Sequence, residues 1–128
     1  MQWLEDKVYT KEFLETLDKD TFPLTYQMCT KNKFDTGSII VRKLINQEIA
    51  YPIWIVIYEE RKPKQFHIYS IEVHQKHRLQ DYGRKLLNKF KETAEQISLC
   101  SLPESKLFYE KQGFVEQEEN RLIWKRKV

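Results

Sequence analysis

A glycine and several basic residues lie together in one segment of the sequence, in an arrangement suited to binding a phosphate. The segment spans residues 71–87 and includes Arg78, Gly83, Arg84 and Lys85. Its β-rich start and the helical spacing of the apolar residues that follow predict a strand, a tight turn and an amphipathic helix. The first turn of a helix has unpaired N–H groups and the positive end of the helix dipole. The pattern therefore indicates an anion site, and it equally fits an ordinary strand–helix corner with surface bases.

Other catalytic and metal-binding patterns are missing from the sequence. No Ser-His-Asp order with a nucleophile elbow and no metal-ligand spacing occurs, so we predict no metal site. The two cysteines, Cys29 and Cys100, lie far apart in the chain. We expect two buried free thiols in a reducing cytoplasm, and the sequence leaves a disulfide between them open.

The elements before the segment are a helix followed by strands. A capped amphipathic helix is predicted from Thr10 onward, with Phe13, Leu14 and Leu17 on one side. Residues 22–29 contain Pro23 and fit a loop, a helix or a strand. Enrichment in Ile, Val, Tyr and Trp then predicts an antiparallel meander of three strands. These strands are residues 38–45, 50–59 and 65–74.

The elements after the turn alternate between helix and strand. A helix is predicted over residues 80–96, a buried strand over 97–102 and a helix over 104–112 that Gly113 ends. A hairpin of residues 114–117 and 122–127 completes the chain. This order predicts one α/β (α+β) domain over residues 1–128, with a mixed, mostly antiparallel sheet flanked by helices.

The bulk composition excludes several classes of protein. The chain has 128 residues, is 41% hydrophobic and 32% charged, and carries a formal net charge of +3 with interspersed signs. Disorder and a nucleic-acid partner are therefore unlikely on composition. The longest apolar stretch, residues 49–58, is shorter than the ~20 residues that span a bilayer. We expect no membrane partner, no signal peptide and a cytoplasmic location.

Two motifs, taken together, resemble the GNAT superfamily of acyl-CoA-dependent N-acyltransferases. Ile71–Val73 matches the family's Leu-x-Val strand, Arg78 opens its phosphate loop and Gly83 closes it, and Leu86–Leu87 follow. Phe108–Phe114 matches the family's second motif, an aromatic-Tyr-x-x-x-Gly-Phe helix end. The motifs come in the family's order and spacing, and the resemblance covers about residues 38–128.

The resemblance implies transfer of an acetyl group from acetyl-CoA to a primary amine of a small molecule or a protein. A backbone N–H at or beside Val73 would donate to the thioester oxygen, and Tyr109 would protonate the departing thiolate. The residues implied in cofactor binding are Ile71, Val73, Arg78, Leu79, Gln80, Asp81, Tyr82, Gly83, Arg84 and Lys85.

Attack on the thioester also requires a base that removes the proton of the acceptor amine. His67 falls where several similar acyltransferases place a Glu or His base, and its pKa near 6.5 suits this step. By strand alternation Glu72 and His74 lie on the opposite face and rank lower. Glu59 and His77 are expected at the surface, where His77 could also be a phosphate neighbour.

One departure from the family pattern supports a different function. Asp81 replaces the first glycine of the loop; aspartate tolerates left-handed backbone geometry, but its carboxylate would repel a diphosphate. This departure supports the alternative of a catalytically weak CoA-binding or regulatory module with the same fold. A small RNA-associated protein is a third alternative. The acceptor is not specified by the sequence, and a homodimer could complete its site.

Overall fold

The structure is a computed structural model that describes residues 2–3, 7–8, 11–31, 38–46, 48–78 and 80–127. Its residues group into two compact units. The first comprises Met1–Glu59 and Tyr69–Tyr82, and the second comprises Glu60–Ile68 and Gly83–Val128.

The first unit contains two helices and an antiparallel group of strands. Strands β1 (Gln2–Trp3) and β2 (Lys7–Val8) both pair with β3 (Ile39–Ile45), which pairs in turn with β4 (Trp54–Lys62). Helix α1 spans Lys11–Thr16 and helix α2 spans Pro23–Lys31. The core cluster of the first unit consists of Phe22, Cys29, Ile39, Val41, Ile55 and Ile57, and side chains of α1 pack against it. Strand β5 (Gln65–Val73) ends in this unit.

The second unit contains the one parallel pairing described. Residues 65–68 of β5 pair in parallel with β6 (Gln96–Cys100), which pairs antiparallel with β8 (Arg121–Lys125). Strand β7 (Val115–Glu118) pairs antiparallel with β8. Helix α3 spans Tyr82–Lys91 and α4 spans Lys106–Lys111. The buried apolar side chains here include Leu86, Leu87, Phe90, Ile97, Leu99, Phe114 and Leu122.

The strands follow the order β1-β3-β4-β5-β6-β8-β7, with β2 also paired to β3. The predicted fold class, a mixed and mostly antiparallel sheet with flanking helices, is therefore confirmed. None of the described helices is long and apolar enough to cross a membrane.

The prediction for the long helix was wrong at its carboxyl end. Helix α3 stops at Lys91, five residues before the predicted end. Ala94 and Ile97 continue the helical spacing and are buried, but Ala94 lies in the following turn and Ile97 in β6. Ala94 and Ile97 are therefore buried by the turn and by β6, although their spacing matches that of the helix.

The structure also corrects or completes the sequence prediction at the start of β4, in residues 22–29 and at Cys100. Strand β4 begins at Trp54 instead of residue 50, because Pro52 has no backbone N–H to donate to a neighbouring strand. Residues 22–29, for which the sequence left loop, helix or strand open, lie mostly in helix α2. Pro23 is its first residue, where the missing N–H of proline costs no hydrogen bond within the helix. Both cysteines are free as predicted, but Cys100 is exposed and not buried.

Candidate active site

The loop after β5 turns its arginine back toward the end of the strand. A one-turn 3-10 helix, Gln75–His77, precedes Arg78. The Arg78 Nε donates to the Val73 carbonyl oxygen at 3.1 Å, and its guanidinium lies 3.9 Å from a Glu72 oxygen. Arg78 therefore contacts the end of β5. Leu79 lies outside the described residues.

Asp81 has a left-handed backbone conformation. Its φ is +66°, in the left-handed region that few side chains other than Asn and Asp enter at low cost. Asp81 therefore has the left-handed geometry that an aspartate tolerates.

Gly83 packs closely against an aromatic ring of α4. A Cβ built on Gly83 would lie 3.2 Å from Cζ of Phe108 in α4, tighter than ordinary contact. The sequence had suggested room for a phosphate, and it carried no signal for this ring. Arg84 and Lys85 follow in the first turn of α3, and both are exposed.

Tyr109 lies in α4 between two aromatic rings. The rings of Phe108 and Phe114 contact it edge-on, with centroids at 5.2 and 5.8 Å. Burial raises the pKa of the Tyr109 phenol to about 12. The backbone carbonyl of Tyr109 accepts from Gln112 and Phe114, and Gly113 has φ +93°, as the predicted glycine helix end requires. Tyr109 is therefore protonated throughout the neutral range, as a proton donor must be.

Glu72 is engaged in holding helix α2. Its side chain is 2% exposed, and one oxygen accepts from the Thr25 backbone N–H at 2.7 Å and the Thr25 hydroxyl at 2.8 Å. The other oxygen accepts from Leu24 N–H at 3.2 Å. These donors belong to the first turn of α2, so Glu72 satisfies orphan groups of that helix. This geometry favours a positioning role over proton transfer.

His67 is paired with a residue that the sequence did not indicate. His67 and Ser98 are partners in the parallel pairing of β5 with β6, and they are 8% and 6% exposed. The His67 Nδ1 lies 2.8 Å from the Ser98 hydroxyl oxygen. Only the register of two distant strands brings them together, so no local pattern could have identified Ser98.

Glu59 was expected at the surface, and the structure shows it only partly exposed. It is half-buried, and it accepts from the Tyr69 hydroxyl at 2.9 Å. The partner that explains its burial lies on the neighbouring strand.

His74, His77 and Tyr51 form a ring cluster at the end of β5. The Tyr51 ring stacks on His74 with centroids 3.9 Å apart, and its hydroxyl lies 3.2 Å from His77 Nε2. His74 Nδ1 accepts from the Lys76 backbone N–H at 3.0 Å. Burial, followed by the charges of His77, Lys76 and Arg78, lowers the pKa of His74. His74 is therefore a neutral ring at physiological pH.

A cavity of about 250 Å³ lies in the first unit beside Tyr51. Apolar side chains from α1, the α1–α2 connection and β4 form much of its wall, namely Phe13, Leu17, Phe22 and Ile55. Asp18 and Lys43 also line it. Sequence reasoning missed this cavity, because its wall comes from segments that match no motif. No group of three potential metal ligands occurs among the residues that the structure describes.

Comparison with known protein families shows to which family the chain belongs. Residues 35–116 match the acetyltransferase (GNAT) domain, which is more than half of the chain. The chain belongs to the GNAT acetyltransferase family. The matched range contains both motifs, so the resemblance seen in the sequence is confirmed. No match is found among curated proteins.

Solved GNAT structures share the fold of this chain at low sequence identity. Tetrahymena GCN5 is 16% identical, with 90% of this chain and 87% of that one covered and a TM-score of 0.67. A Bacillus subtilis acetyltransferase in complex with CoA is 16% identical, with 96% and 97% covered and a TM-score of 0.63. A chimera of the Vibrio cholerae spermidine N-acetyltransferase SpeG and hSSAT is 16% identical, with 94% of each chain covered and a TM-score of 0.57.

Proposed function

We propose that this GNAT chain transfers an acetyl group from acetyl-CoA to a primary amine of a small molecule or a protein. The observation that carries the proposal is the position of Tyr109 in the family's second motif, with its phenol kept protonated because burial raises the pKa to about 12. The CoA in the Bacillus subtilis relative supports the choice of cosubstrate.

In the proposed reaction the acceptor nitrogen attacks the thioester carbon directly. The backbone N–H at or beside Val73 donates to the carbonyl oxygen, where negative charge develops. Breaking the carbon–sulfur bond releases CoA as a thiolate, which takes the Tyr109 proton. Before the attack, the ammonium proton of the acceptor passes to His67, the base proposed from its place on β5, while Ser98 holds His67 Nδ1 at 2.8 Å. After the carbon–sulfur bond breaks, the nitrogen gives its second proton to the Tyr109 phenolate, so the products are the amide and the CoA thiol.

The loop residues 78–85 are proposed to hold the diphosphate of CoA. Asp81 keeps the left-handed backbone of the loop at φ +66°, which supports a loop of the family's shape. Its carboxylate would oppose a diphosphate, and that observation favours the second candidate function, a CoA-binding module with weak turnover. A cytoplasmic location, a single domain and a homodimer remain further proposals.

The first experiment measures the melting temperature with and without CoA. A ligand that binds the folded chain raises this temperature by mass action. No shift at saturating CoA would remove the basis of both candidate functions. CoA release from acetyl-CoA with a panel of amines then separates the two, because only an acetyltransferase turns over.

Tyr109→Phe tests the proposed acid. We expect kcat to fall by about 10²-fold or more with little change in the KM for acetyl-CoA, because only the transition state needs the proton. The free energy of unfolding should fall by only about 1 kcal/mol, the value of one hydroxyl hydrogen bond. Tyr26→Phe, on α2, is the matched control, and near-normal kcat in Tyr109→Phe would exclude Tyr109 as the acid.

A further inference from the structure

The cavity of about 250 Å³ has the size and lining of a site for a small molecule. A water molecule accounts for about 30 Å³ of liquid volume, so the space equals roughly eight waters. Binding pockets for drug-sized ligands are larger, at about 300–1,000 Å³. The apolar wall of Phe13, Leu17, Phe22 and Ile55 favours a compact apolar body, about as large as a phenyl ring with a short chain.

Tyr51 gives this wall a hydrogen-bond acceptor. The Tyr51 hydroxyl oxygen lies 3.2 Å from His77 Nε2. A phenol oxygen can accept a hydrogen bond as well as donate one, so Tyr51 offers an acceptor for the N–H group of an amine.

The ring of Tyr51 is held in place by neutral His74. The two rings are nearly parallel, with an interplanar angle of 18°, and Phe22 contacts His74 edge-on at 5.9 Å. The His74 backbone N–H bonds Ile53 O at 2.7 Å. His74 directly follows Val73, beside which the proposed reaction places the thioester. One ring contact therefore separates the cavity wall from that strand end.

The cavity wall carries two charged side chains of opposite sign. The Thr21 hydroxyl at 2.7 Å and the Asp20 N–H at 3.0 Å hold the pKa of Asp18 below its ordinary value, so this carboxylate stays ionised. The Lys43 ammonium lies 5.2 Å from the Phe13 ring centroid. With one charge of each sign among its described lining residues, the cavity has no excess negative charge to attract a polycation.

We infer that this cavity binds the acceptor, that the acceptor is a compact monoamine with an apolar body, and that Tyr51 accepts a hydrogen bond from its nitrogen. This inference rests on the proposed acetyltransferase function. It assigns Tyr51 as a specificity-determining residue and disfavours polyamines as acceptors.

The test compares acceptors of different shape and charge. CoA release is measured with 2-phenylethylamine, spermidine and a lysine peptide, and we expect kcat/KM to be at least about tenfold higher for 2-phenylethylamine. Calorimetric binding in the presence of CoA should detect 2-phenylethylamine but not phenylacetate, which has a similar shape and the opposite charge. Preference for spermidine or the peptide, or equal binding of phenylacetate, would overturn the inference.

Two variants identify the site. Tyr51→Phe should raise the KM for 2-phenylethylamine about tenfold, as expected for a lost bond to a charged donor, with a smaller effect on kcat. Leu17→Trp should abolish amine binding by filling the cavity, without touching the hydroxyl. Tyr26→Phe, away from the cavity, is the control for both, and an unchanged KM in both cavity variants would refute the assignment.

Failure of the inference and failure of the proposed function give different results. If the inference alone is wrong, the protein binds CoA and forms free CoA from acetyl-CoA with other amines. The cavity variants then behave like wild type. If the proposed function is wrong, no amine causes CoA release, whether or not 2-phenylethylamine binds in the calorimeter.

Discussion

Replacing Glu72 by glutamine should destabilise the fold and leave the chemistry largely intact. The carboxylate accepts from Thr25 N–H, the Thr25 hydroxyl and Leu24 N–H at 2.7, 2.8 and 3.2 Å. A glutamine can keep the two Thr25 bonds through its carbonyl oxygen. Its NH₂ group must then face the Leu24 N–H, and two donors cannot bond.

The cost of Glu72→Gln follows from these contacts. One buried donor left unpaired costs about 1–3 kcal/mol, and the lost charge at the start of α2 adds a few tenths. The ion pair with Arg78 adds little, because the Arg78 side chain is 53% exposed and the separation is 3.9 Å. We expect a loss of about 2 kcal/mol in the free energy of unfolding. For a chain of this length that lowers the melting temperature by roughly 6–12 °C.

The assay combines urea unfolding, thermal melting and CoA-release kinetics on the same protein. Glu104→Gln, at an exposed glutamate, should stay within about 0.5 kcal/mol of wild type. Thr25→Val and the double variant complete a cycle, in which we expect a coupling of about 1 kcal/mol between Thr25 and Glu72. A melting temperature equal to wild type together with a kcat reduced by about 10²-fold would refute this reasoning and make Glu72 the base.

Two further substitutions test the loop and the proposed base. Asp81→Gly should tighten CoA binding about fivefold, because a like charge 5–6 Å from a phosphate costs about 1 kcal/mol after screening, and Asp81→Asn should do the same if charge is the cause. Calorimetry with CoA measures both, and unchanged affinity in both would show that the carboxylate is directed away. Ser98→Ala should lower kcat/KM in CoA-release kinetics, because His67 Nδ1 loses its partner at 2.8 Å, while Ser98→Thr, which keeps the hydroxyl, should restore the wild-type value. Equal kcat/KM in Ser98→Ala and wild type would remove Ser98 from the positioning of His67.

Local patterns in the sequence predicted most of the elements and the family. The alternation in β5, the glycine after α4 and the apolar stripe of α3 each depend on residues close together in the chain, where propensity and period act. The end of α3 was mispredicted because Ala94 and Ile97 are buried by later structure. Strands of two residues, such as β1 and β2, are too short for any period.

The contacts of the candidate site were mostly beyond prediction, because they join distant parts of the chain. Glu72 meets Thr25 across 47 residues and His67 meets Ser98 across 31. Such pairs depend on strand register and on where α2 begins, neither of which leaves a mark on neighbouring residues. The motifs identified Arg78 and Tyr109 from the sequence, but only the structure shows which residues they contact.

The close approach of Phe108 to Gly83 predicts that the two family motifs are coupled during evolution. Since a Cβ at position 83 would lie 3.2 Å from the Phe108 ring, a mutation in the phosphate-loop motif changes which side chains α4 can carry. Relatives with alanine or serine at the place of Gly83 should therefore tend to have a smaller or differently shaped residue at the place of Phe108. Covariation between positions 83 and 108 in an alignment would reflect this steric constraint. A substitution at one position would then determine which substitutions are tolerated at the other.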